Sequence, residues 1–165
     1  MNRINTPAAA LVATILVAAL AACGGHVDQT LTKAQVISQG SAICKRAEQQ
    51  VNALPQLTTE HPFAKGTTAK EHRAARTFLI GYARALDGSR IELAKLDSPN
   101  DGKALLEAYL TGIGKVAAEL RAAAKAPGPE VEAQVGEAFG LFDRVSSKTA
   151  AYGFPKGVCG SGSAS

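Results

Sequence analysis

A chain of 165 residues with a formal charge of +4 is the length of one domain with room for a tail. So slight a charge does not point to nucleic acid as a partner, and a single methionine, Met1, with no Cys-x-x-Cys-His, leaves no haem-ligation pattern. In chain order, residues 1–22 read as a secretory signal. Arg3 is the only charge before Asp28, an apolar run follows from Ala8 to Leu20 with Thr14 as its one break, and the small residues Ala21 and Ala22 suit a cleavage site. The run falls short of the roughly 20 residues that span a bilayer.

Leu20-Ala21-Ala22-Cys23 resembles the lipobox of bacterial lipoproteins, a leucine and two small residues before a cysteine at the end of the signal. The resemblance implies that Cys23 takes a diacylglyceryl thioether and becomes the first residue of the mature chain. Two or more acyl chains then anchor the protein where one would not hold stably. The alternatives at this position are an ordinary signal cut after Ala22 and a free thiol. Loss of Arg3 leaves 17 basic against 14 acidic residues. Residues 23–31 form a short membrane tether; Gly24 to Thr30 reach at most about 25 Å, so the domain stands close to the membrane.

The rest reads as four helices. Thr32 and Gln35 make a capping box, and Ile37, Gly40, Cys44, Ala47, Val51 and Leu54 follow on one face before Pro55 stops the helix. Thr68 and Glu71 make a second box, ahead of the stripe Ala75, Leu79, Tyr82, Leu86, Leu93 and Leu96, with Phe78 beside it; Gly88 loosens or bends this helix. A third helix is expected to start with Ser98 as cap and Pro99 at its first position, with the stripe Leu106, Tyr109, Ile113, Val116, Leu120 and Ala123. The fourth runs from about Pro129 to Tyr152 on Val131, Val135, Ala138, Phe142, Val145, Thr149 and Tyr152, with Gly153 as a left-handed stop. The fold class is therefore all-α, an antiparallel four-helix bundle over residues 32–159, with 160–165 a flexible tail.

With Cys23 assigned to lipid, Cys44 and Cys159 remain as an even pair. Cys44 is 12 residues past Thr32, about 18 Å along a helix. The six residues beyond Gly153, ending at Cys159, extend about 20 Å, enough to fold back from the end of the fourth helix. A Cys44–Cys159 disulfide is expected, suited to an oxidising compartment. The segments "AICKRAEQQVNAL" and "AYGFPKGVCG" resemble small helical lipoproteins of actinobacteria of unknown role. That resemblance implies a disulfide-closed secreted helical domain and carries no activity.

Chemistry is sparsely signalled. His26, His61 and His72 form no His-x-x-x-His or Glu-x-x-His pair, so neither a metal nor another cofactor is expected. There is no Gly-x-Ser-x-Gly elbow, and Gly112-Ile113-Gly114-Lys115 falls mid-helix, where it serves close packing and not phosphate. Helix 2 carries Lys70, Arg73, Arg76, Arg84, Arg90 and Lys95 against Glu71, Asp87 and Glu92, a solvated face that could also meet anionic headgroups. The expected role is a non-enzymatic, lipid-anchored extracytoplasmic protein of the cell membrane that binds an envelope protein partner or supports the envelope. The alternative is a small apolar ligand held between the helices. The alternative requires a cavity of several hundred Å3 lined by Phe78, Tyr82, Tyr109 and Phe142; an enzyme would instead gather titratable groups in a cleft.

Overall fold

The structure, a computed structural model, describes residues 30–57, 62–64 and 66–160. Cys23, His26 and His61, together with the signal and most of the tether, lie outside the described residues. The described chain is all-helical: α1 (Lys33–Asn52), α2 (Ala69–Leu93), α3 (Lys103–Ala123) and α4 (Gly128–Tyr152). No described helix is long and apolar enough to cross a membrane.

Both capping boxes form. The Thr32 side chain accepts from the Gln35 N–H, and that of Thr68 from the Glu71 N–H, while Gln35 and Glu71 reach back to the cap N–H groups. Helix α4 ends in the paired hydrogen bonds of a Schellman stop, Phe154 N–H to the Thr149 carbonyl and Gly153 N–H to the Ala150 carbonyl, both at 3.0 Å. Gly88 leaves α2 unbroken.

Helix α3 does not begin on Ser98 and Pro99. Residues 99–102 turn first, and the cap is Gly102, left-handed at φ 93° and without a side-chain cap. The reason lies across the bundle. Ser98 Oγ is 2.8 Å from the buried phenol oxygen of Tyr152, so the hydroxyl is spent on α4. A Cβ at Gly102 would come within 2.7 Å of the same ring, so the positive φ and the close approach both call for glycine.

Helices consecutive in sequence pack on one another, most extensively α3 on α4 and least α1 on α2. The core runs through Val36, Leu79, Ala83, Leu93, Ile113, Val116, Leu120, Val131, Ala138 and Tyr152. Gly112 brings α3 and α4 together: a Cβ there would meet Val145 Cγ1 at 2.7 Å. Arg76 is turned inward. Its guanidinium donates to the carbonyls of Ala124 (2.6 Å) and Ala126 (2.8 Å) and lies over the Phe63 ring. It thereby satisfies carbonyls that the end of α3 leaves without partners.

The backbones of α1 and α4 do not come close to each other, although Lys33 of α1 lies over the Tyr152 ring of α4, 5.4 Å from its centroid. The C-terminal segment joins them instead. Phe154 is buried against Gly40, and the Cys44–Cys159 disulfide, with Cα atoms 5.0 Å apart, ties the segment back onto α1. The stripe expected on α1 is correspondingly split. Gly40 and Cys44 are buried with Val36 and Ile43, whereas Ala47 and Val51 are half-buried, because that half of the helix has no α4 to cover it.

Candidate functional site

The space that α1 and α4 leave between them is a cleft of about 620 Å3. Its walls come from every helix: Ala47 and Val51 of α1, Leu86 and Tyr82 of α2, Tyr109 of α3 and Phe142 of α4. Residues 157–160 of the C-terminal segment, and the disulfide itself, complete the enclosure. Most of this lining is carbon, of a size and character that suit a small organic ligand.

Three of the four aromatic residues singled out from the sequence, Tyr82, Tyr109 and Phe142, face this cleft. Phe78 does not line it. Its ring stacks on Tyr82, with centroids 6.0 Å apart and planes at 7°. Tyr82 also meets Phe139 at 5.6 Å and Phe142 edge-on at 6.5 Å, so Phe78 and Phe139 hold the Tyr82 ring from behind.

The polar groups of the cleft divide into engaged and unengaged. Tyr109 OH donates to the Cys159 carbonyl at 3.2 Å, which helps hold Cys159 in a left-handed conformation (φ 55°) that costs a non-glycine residue about 1 kcal/mol. Ser89 Oγ donates to the Leu86 carbonyl at 2.8 Å within its own helix. Burial raises the phenol of Tyr109 well above its ordinary pKa, with a smaller contribution from Tyr82. Burial, then the charge of Asp143, raises that of Tyr82. Both therefore stay neutral donors at physiological pH. Ser41 Oγ is buried with no hydrogen-bond partner, and Ser41 lines the cleft. Lys45 and Glu48, one and two turns beyond, lie exposed along the same α1 wall.

Ser41, Lys45 and the 157–160 wall were not legible as site residues. Ser41 and Lys45 look like ordinary surface positions of an amphipathic helix, and the wall follows only once the tail is known to fill the α1–α4 gap.

Elsewhere the candidate chemistry is structural. His72 Nε2 is 2.5 Å from Thr67 Oγ1 and its ring lies 5.5 Å from that of Phe63, at the start of α2. Among the described residues no group of three or more His, Cys, Asp or Glu is placed to hold a metal ion. The basic excess of α2 is partly used in place: Arg76 by α3, and Arg90, with Arg121, by Asp87. No family of proteins, curated protein or solved structure matches this chain.

Proposed function

We propose that this chain is an exported, lipid-anchored binding protein that holds a small apolar ligand in the cleft between α1 and α4. The observation that carries the reading is the cleft itself, about 620 Å3 and faced by Tyr82, Leu86, Tyr109 and Phe142. A bundle closed by direct α1–α4 packing would have no such space. The role is binding and not catalysis: the lining is largely carbon, and the hydroxyls of Tyr109 and Ser89 are already committed to backbone carbonyls. The Leu20-Ala21-Ala22-Cys23 motif and the disulfide, which suits an oxidising compartment, support the location. Cys23→Ala should release the protein from membranes into the soluble fraction; retention would count against the anchor.

The ligand reading is tested by filling the cleft. Ala47 is half-buried in its wall, and Ala47→Trp adds a large ring there. The wild-type mature protein should bind a polarity-sensitive apolar dye, and Ala47→Trp should weaken that binding by about tenfold or more, roughly 1.4 kcal/mol, at unchanged helicity. Equal binding by the two proteins would remove the cleft as the site. Recovery from membranes of a stoichiometric protein partner and no small molecule would favour the partner-binding role instead.

A further inference from the structure

The cleft is lined by Tyr82 and Tyr109, and the fold uses the hydroxyl of one of them. Tyr109 OH is spent on the Cys159 carbonyl at 3.2 Å, as Tyr152 OH, elsewhere in the core, is spent on Ser98 at 2.8 Å. Tyr82 OH hydrogen-bonds to none of the described residues. Among those residues Ser41 Oγ is the one buried side-chain polar atom without a partner, so the Tyr82 hydroxyl, which has none either, is open to solvent. It opens on the cleft and not on the outer surface. Burial is the main cause that raises the phenol, and Tyr82 in turn contributes to raising Tyr109, whose own hydroxyl lies against the cleft wall. The ring that carries this hydroxyl is fixed: Phe78 stacks on it at 6.0 Å between centroids, and Phe139 and Phe142 of α4 meet it at 5.6 and 6.5 Å. A donor held in this way loses little freedom when a ligand binds. The charges around it do not favour an ion. Lys45 and Glu48 are three residues apart on the α1 wall, hence neighbours that offset each other. Asp143 of α4 acts on the Tyr82 phenol and would repel a negative head placed there.

Resting on the reading above, we propose that the ligand is an uncharged ketone or ester, that Tyr82 OH donates to its carbonyl oxygen, and that its apolar remainder lies against Val51, Leu86 and Phe142. The phenol supplies one donor, and a carbonyl oxygen accepts without carrying charge into the cleft. In a space lined largely by carbon, one such group fixes the orientation of the ligand. It also selects. A ligand with no acceptor covers the hydroxyl and leaves it unpaired, which costs more than the bond itself contributes.

The test is displacement of a polarity-sensitive apolar dye from the oxidised mature protein by three probes built on the same pair of phenyl rings. Benzophenone has the carbonyl, diphenylmethane lacks it, and diphenylacetate carries a negative charge. Tyr82→Phe keeps the ring among Phe78, Phe139 and Phe142 and removes the hydroxyl alone. It should weaken benzophenone by about fivefold and leave diphenylmethane unchanged, which also shows that the cleft is intact. Tyr109→Phe, which loosens the wall at Cys159, should weaken both neutral probes by the same factor. Diphenylacetate should bind the wild type least of the three. An equal effect of Tyr82→Phe on ketone and hydrocarbon, or an effect on neither, would overturn the proposal, as would tightest binding by the carboxylate. A loss confined to the ketone in Tyr109→Phe would move the donor to Tyr109 and overturn it too. So would a bound dye that none of the three displaces. The cleft reading stands or falls separately, on the comparison of dye binding to wild type and Ala47→Trp.

Discussion

At the scale of single residues, charge and close approach do more structural work than the bare sequence shows. Asp87 on α2 accepts from Arg90 Nε at 3.2 Å and from Arg121 of α3. Burial alone would raise its carboxyl; the Arg121 and Arg90 hydrogen bonds and charges outweigh this and hold it below the usual carboxylate range. Because the folded value is below the unfolded one, near 3.9, the stabilisation is complete above that pH and is lost as pH falls through the folded value. Asp87→Asn should therefore destabilise the protein by about 1 kcal/mol at pH 7. The difference from wild type in urea denaturation should close below about pH 3. A difference independent of pH would mean that the pair acts through packing. Two glycines make an opposite contrast. A Cβ at Gly88 meets nothing, so Gly88→Ala should raise stability by about 1 kcal/mol through helix propensity alone. A Cβ at Gly112 meets Val145, so Gly112→Ala should lower stability by about 1–3 kcal/mol despite the same propensity gain. Thermal denaturation of the two variants side by side checks both signs.

At the scale of elements, what the sequence shows clearly is what local chemistry decides. The two Thr-x-x-Glu/Gln boxes, the glycine stop of α4 and the 3-4 spacing of the stripes all act within one helix, and α1, α2 and α4 lie where they place them. The start of α3 departs from what its sequence suggests because the apparent cap, Ser98, has a stronger use across the bundle with Tyr152. A sequence cannot show that competition until the partner helix is in place. Arg76 is a similar case: it reads as one more charge on a solvated face, yet its guanidinium caps the carbonyl end of α3. The outer half of the α1 stripe, Ala47 and Val51, reads as core because apolar spacing says which side of a helix is buried and not what covers it. Here the cover is a cleft, and the candidate site is what results from that difference. Of the four rings chosen from the sequence, the one set beside its stripe, Phe78, is the one that supports the lining from behind.

At the scale of the molecule, the bundle is closed by a segment and not by a helix. Helices α1 and α4, the first and last, are joined chiefly through residues 153–160, whose attachments include the buried Phe154, Val158 against the core, the Tyr109–Cys159 hydrogen bond and the disulfide; Lys33 of α1 also lies over the Tyr152 ring of α4. The disulfide spans 115 residues, and a loop near that length is worth about 4–5 kcal/mol in the chain-entropy account, less any native strain. That stabilisation acts on the unfolded chain and belongs to the whole domain. The wall of the cleft is a local matter, because residues 157–160 lie beyond the last helix and the disulfide is their covalent tie to α1. Replacing both cysteines, Cys44→Ser with Cys159→Ser, should therefore have two separable effects. The midpoint of unfolding should fall by several kcal/mol equivalent. Under conditions where the variant is still folded, hydrogen exchange should rise at residues 156–160 while amides around Leu93, Ile113 and Leu120, which are fully buried, keep their protection. Loss of the wall should also weaken apolar dye binding by more than the loss of global stability explains, since the folded fraction remains near one. If residues 156–160 stay protected in the double variant, the segment's other contacts, those of Phe154, Val158 and Tyr109 among them, suffice to hold it, and the disulfide stabilises the fold without shaping the cleft.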